Sequence, residues 1–128
     1  MEETVSTDTQ NADCPFCGGV FESEIVEAFG TVVGVADAKP VSPGHMLIVT
    51  LRHTEDIFSM TDDERADAMK MIGVLKRRAL RIDPTITGFN IGANCGVSAG
   101  QHVMQAHIQF IPRRDTESVK GGIRNKMA

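Results

Sequence analysis

"VMQAHIQFIPRR", residues 103–114, is the stretch whose reading decides the fold. Read with the two-residue period of a strand, His102, Met104, Ala106, Ile108 and Phe110 fall on one face, and Val103, Gln105, His107, Gln109 and Ile111 on the other. The first face is mostly apolar and belongs on a core. The second sets Gln105, His107 and Gln109 in a row about 6.5–7 Å apart, twice the strand rise. Such a row is either a site or a solvated face, and the pattern leaves both open. Directly upstream stands "GANCGVSAGQ", residues 92–101, whose glycines let backbone N–H groups come close to a ligand. It is neither G-x-G-x-x-G nor a P-loop. Pro112 is expected to end the strand.

Working outward, β-prone segments are expected around 24–29 and 31–36, divided by Gly30. "AKPVSPGH", 38–45, is a loop, and "MLIVT", 46–50, a short buried strand. Thr61 and Glu64 form a capping box for a helix over 61–82, with Asp62 and Asp63 in its first turn. Met69, Ile72, Leu75 and Ala79 recur at helical spacing, Met69 and Met71 are expected in the core, and Asp83-Pro84 stops the helix. "TGFNIG", 87–92, is a further strand. Residues 1–12 are polar and acidic without a period, the composition of a disordered tail, and 13–128 is expected to fold as one domain. Strands around one main helix give α+β with a largely antiparallel sheet.

Composition excludes several classes. The net charge of −4 offers no broad basic surface, so a nucleic-acid backbone is not an expected partner. With no Trp or Tyr, stacking on single strands would fall to six Phe. No apolar run is long enough to span a membrane and no signal segment opens the sequence, so no membrane partner and a cytoplasmic location are expected. Three cysteines, two of them in the C-x-x-C of "CPFC" at 14–17, point to metal or redox use in a reducing compartment.

"GANCGVSAGQHVMQAHIQFIPRR" resembles the histidine triad nucleotide-binding family, whose signature is G-Q-x-V-x-H-x-H-x-H, often followed by P-R. Gly100, Gln101, Val103, His107, Pro112 and Arg113 stand in register with it. "VADAKPVSPGHMLIVTLRH", 35–53, is similar to the family's D-x-x-P-x-x-P-G-H-x-L-I segment, "CPFC" to its N-terminal C-x-F-C, and "KGGIR", 120–124, to a tail found in several members. The resemblance implies a five-stranded antiparallel sheet with one long and one short helix, in a homodimer. It also implies a nucleotidyl hydrolase or transferase acting on purine nucleotide anhydrides, esters or phosphoramidates. His107 takes the position of the nucleophile that forms a nucleotidyl-histidine.

The departures are at the flanks. Gln105 and Gln109 replace the first and third histidines; Gln105 still supplies the backbone carbonyl that fixes the nucleophile's tautomer. An amide holds a phosphoryl oxygen but does not change charge near neutral pH, so a slowed reaction is expected. The resemblance further assigns Asp37 to the ribose hydroxyls, Val35, Ala38 and Ile25 to the base pocket, and Asn94 and Gln101 to the phosphate and leaving group. His102 either acts on the leaving group or is a solvated strand-end histidine; Arg113 and Arg114 either meet phosphate charge or are a solvated strand end. His45 reads as structural, and Cys95 lies in the site loop. Zinc-containing relatives imply Cys14, Cys17 and His53 as ligands, with Gln105, a poor zinc ligand, in fourth place. Two further readings stay open: a nucleotide-binding module with little turnover, and a C-x-x-C redox or zinc module.

Overall fold

The computed structural model describes residues 24–116. The expected tail at 1–12, Cys14, Cys17 and the KGGIR segment lie outside them. Five strands form one antiparallel sheet: β1 (Ile25–Phe29), β2 (Val32–Ala36), β3 (Met46–Thr50), β4 (Ile86–Gly92) and β5 (His107–Arg114). Their order is β1-β2-β3-β5-β4. Helix α1 (Asp62–Ile82) crosses one face. The sheet and its long helix match expectation. Besides α1, the described residues hold 3-10 turns at Ile57–Ser59 and Val97–Ala99.

The hairpin from β1 to β2 turns at Gly30, whose φ of 56° is one that side-chain-bearing residues rarely adopt. Asp67 of α1 accepts from the Thr31 N–H and hydroxyl at 2.9 and 2.8 Å, tying the hairpin to the helix. Thr61 and Glu64 form the expected capping box, and Asp83 closes the far end. The helix buries Ala68, Met71 and Leu75 against Val32, Met46, Ile48 and Phe110. Gly34 permits the contact: a Cβ there would stand 3.2 Å from Leu75. Burying side chains of this size contributes about 1.5–3 kcal/mol apiece. Of the two methionines expected in this core only Met71 is there. Met69, two positions earlier and about 200° around the helix, is 68% exposed.

Two expectations about β5 need correction. The strand begins at His107, not at 102 or 103, because the chain bends through 103–105 and is held there by side-chain hydrogen bonds instead of a ladder. Nor does Pro112 end it; the strand runs to Arg114, with Pro112 opposite Phe89 of β4. The Pro112 carbonyl accepts from the Ser42 hydroxyl at 2.8 Å, so the N–H that proline lacks would face the same side, beyond the end of β3, where no ladder partner is needed.

The helix N-terminus is anchored to the turn after β3. Arg52 donates through Nε and a terminal nitrogen to both Glu64 oxygens, at 3.0 and 2.9 Å. Burial alone would raise the Glu64 carboxyl, but the Arg52 guanidinium and Thr61 outweigh it and hold it below the usual carboxylate range. Arg52→Leu is expected to leave this carboxylate buried without its fork and to destabilise by about 2 kcal/mol. Urea midpoints of the two proteins at neutral pH check this. At the other end of α1, hydrogen bonds from Thr85 and Arg114 hold Asp83 at a pKa of about 2, below its ordinary 3.8. Its stabilising contribution is full above about pH 4 and lost as pH falls through about 2. The difference in melting temperature between the parent and Asp83→Asn should therefore shrink between those values and be flat above them. No helix among the described residues is long and apolar enough to cross a membrane.

Candidate functional site

Residues directly opposite one another on adjacent strands share a face. The pairings Ile25–Val35, Val35–Leu47, Leu47–Gln109 and Gln109–Gly92 therefore lay one row across the sheet. Val33–Val49 and Val49–His107 lay a second. Both rows belong to the face away from α1, since the alternate residues Ile48 and Phe110 pack on the helix. Val33, Val35, Leu47 and Val49 form a separate apolar cluster. His107 and Gln109 thus stand beside this buried apolar floor, with the partly exposed Ile25 at its outer margin.

The expected row of three polar side chains has only two members. His107 and Gln109 are on it. Gln105 precedes the strand, and its 1% exposed side chain reaches toward the helix layer. Its Oε1 accepts from the Thr54 N–H at 3.1 Å, and its Nε2 donates to the Thr50 hydroxyl at 2.8 Å and to the Thr50 and Arg52 carbonyls at 3.2 Å each. Its backbone carbonyl meets His107 Nδ1 at 2.8 Å. A carbonyl only accepts, so Nδ1 carries the proton and Nε2 carries the lone pair.

His45, expected from the sequence to be structural, stands against the site. It is 5% exposed. The Val41 N–H donates to its Nδ1 at 3.2 Å, so the proton sits on Nε2. That Nε2 donates to Gln109 Oε1 and lies 3.3 Å from Asp37 Oδ2. With Gln109's oxygen committed to His45, the polar end left to the amide is its N–H2, a pair of donors. The glycine and histidine of "PGH" were the available signal, together with the family segment that contains them. Asp37, just past β2, uses Oδ1 to accept from the Lys39 N–H at 2.8 Å. Val35 lies on the floor, while Ala38 is exposed in the turn that follows Asp37.

Gln101 is 2% exposed, and both ends of its amide are taken by backbone. Its Oε1 accepts from the Gly96 N–H at 2.7 Å; its Nε2 donates to the Glu55 and Val103 carbonyls at 2.7 and 3.0 Å. It braces the glycine-rich loop, so the expectation that its amide faces the phosphate does not match its bonding. Gly96 and Gly100 bound the Val97–Ala99 turn at φ of 92° and 93°. Asn94 and Cys95 are half-buried in the same loop, and Asn94 Nδ2 approaches the Gly100 carbonyl at 3.5 Å. His102 is exposed in the bend that follows, not at a strand start. Arg113 is on the His107 face and donates to Asn90 at 2.9 Å. Arg114 is on the other face, forked on Asp83 and donating to the Ser42 hydroxyl and Pro43 carbonyl. It is a structural clamp, not a phosphate ligand.

The implied zinc set does not fit at its fourth position. Gln105 has its oxygen and nitrogen both engaged within the protein. His53 is half-buried, and Cys14 and Cys17 lie outside the described residues.

Residues 19–116 match the HIT domain. The chain belongs to the histidine triad family. An uncharacterized HIT-like protein of Methanocaldococcus jannaschii is 35% identical over 114 residues, covering 85% of this chain and 87% of its own. The AP-4-A phosphorylase of Mycobacterium tuberculosis is 32% identical over 97 residues, 72% of this chain and 48% of that one. Among solved structures, the Plasmodium falciparum diadenosine triphosphate hydrolase aligns with a TM-score of 0.69 at 27% identity, covering 76% of this histidine triad protein and 65% of the hydrolase. A zinc-bound histidine triad protein from Mycobacterium smegmatis aligns at 0.70 with 26% identity, over 86% and 81%.

Proposed function

We propose that this histidine triad protein is a nucleotidyl hydrolase or transferase that cleaves purine nucleotide anhydrides, esters or phosphoramidates through a covalent intermediate on His107. The observation that carries the reading is the 2.8 Å contact between His107 Nδ1 and the Gln105 carbonyl, which leaves the lone pair on Nε2. Nε2 attacks the α-phosphorus, an N–P bond forms, and the bond to the leaving group breaks with its electron pair. An acceptor oxygen then displaces the imidazole and restores it. The Gln105 carbonyl favours the Nδ1–H as the ring gains positive charge. The Gln109 N–H2, aimed by His45, holds a phosphoryl oxygen where charge builds up. Val33, Val35, Leu47 and Val49 seat the base, and Asp37 accepts from the ribose hydroxyls. The relatives named for diadenosine substrates support the substrate class. With an amide at 109 that does not titrate, turnover is slower than with histidine there. A homodimer goes with the reading, since β4 is an edge strand of the sheet and carries the 41% exposed Ile91.

The test is intact mass after mixing with a dinucleoside polyphosphate and, separately, an adenosine phosphoramidate, quenched without acid. A nucleotidyl adduct is expected, lost on His107→Ala. Bound nucleotide with neither adduct nor turnover would instead make the chain a binding module.

A further inference from the structure

We infer that the Gln105 side chain is a positioning residue for His107, and that it does so by amide hydrogen bonds without a metal. The inference rests on the reading of His107 as nucleophile. The carbonyl that accepts from His107 belongs to the planar peptide group linking Gln105 to Ala106. The N–H of that same group donates to the Thr54 carbonyl at 2.7 Å. Thr54 is fixed in turn, because its own N–H donates to Gln105 Oε1 at 3.1 Å. Backbone and side chain of Gln105 thus close a ring through one residue of the turn after β3. The other end of the amide extends the hold: Nε2 donates to the Thr50 hydroxyl and to the Thr50 and Arg52 carbonyls. The Thr50 hydroxyl donates to the Arg52 carbonyl at 2.7 Å, and the Arg52 side chain is forked on Glu64 at the start of α1.

The peptide plane that sets the tautomer of His107 is therefore held through the Ala106 N–H bond to Thr54, and the buried Gln105 amide fixes Thr54 and the turn around it. The strand ladder does not hold this plane, because it starts only at His107. A carboxylate could not replace the amide, since three of its four bonds need an N–H donor. A neutral imidazole offers one acceptor and one donor, fewer than the bonds this amide makes. Position 105 carries a hydrogen-bonded lock in the place where the metal-binding pattern needs a ligand.

The experiment reads the tautomer directly and needs no turnover. Nitrogen-15 shifts of the His107 ring are measured in the parent, in Gln105→Met and in the milder Thr50→Val, which removes one acceptor of the amide. Adduct kinetics are measured beside them. The parent should show Nδ1–H, unchanged by a zinc chelator. Gln105→Met should populate the Nε2–H tautomer and lower kcat about 10–100-fold with KM within about two-fold. Thr50→Val should show the same in smaller measure, and it decides the matter if Gln105→Met does not fold. An unchanged tautomer in a folded variant overturns the inference, as does a parent whose tautomer changes on chelation. A parent with no turnover but with the expected tautomer changes would sink the proposed reaction and leave the lock standing.

Discussion

Replacing His107 with alanine is expected to abolish the nucleotidyl adduct and lower kcat by about 10⁴-fold or more, while nucleotide affinity changes by no more than a few-fold. The split between the two quantities follows from the layout of the face. The proposed function gives base and ribose to Val33, Val35, Leu47, Val49 and Asp37, none of which depends on the imidazole for its position. The nucleophile contributes only when the N–P bond forms, so its loss falls on the barrier. Isothermal titration with a non-hydrolysable analogue and single-turnover kinetics separate the two. Equal losses in both would mean that His107 is a binding group, and the second reading, a module without turnover, would gain.

The other large effect is expected from Gln109→Glu, with kcat lower by about 10²–10³-fold, near 3–4 kcal/mol. His45 Nε2 would still find an oxygen to donate to, so the fold should survive. The opposite end of the side chain would change from an N–H2 donor to a carboxylate oxygen beside a phosphate. A donor is lost where charge develops, and a like charge is added. Gln109→Met separates the two causes, because it removes the donors without adding charge. The Glu variant should be the slower of the two, should bind nucleotide more weakly, and should regain part of that affinity at high salt, where repulsion is screened. If Glu and Met behave alike, the amide does not face the phosphate.

Much of the fold was legible because its signals are local. The Thr61–Glu64 box, the turn at Gly30 and the apolar run 46–50 lie within a few residues of what they determine. What escaped is set by partners far along the chain. Period two placed Gln105 with His107, but its true partners are Thr50, Arg52 and Thr54, and no window around residue 105 contains them. His45 read as structural because its bond to Gln109 spans 64 positions. Pro112 is tolerated in β5 because β3 has already ended alongside it, a fact of strand length in another element. Arg114 looked like its neighbour Arg113, yet strand alternation sends the two to opposite faces, one to Asn90 and one to Asp83. The placing of His107 and Gln109 on one strand face was legible, and the hydrogen bonds that aim the amides were not.

The loop between Asp37 and His45 is closed on itself by the Asp37 N–H to the His45 carbonyl, and Arg114 and Ser42 fasten it to the end of β5. A segment tied at this many points surrenders its freedom when the protein folds, not when a ligand arrives. For the proposed reaction, the carboxylate and the donor pair of amide N–H groups would meet an incoming nucleotide already in place, and binding would order little that was not ordered before. Discrimination would then work by rejection at a rigid doorway: a compound that does not match the spacing between floor, carboxylate and amide would find no loop that bends to accommodate it.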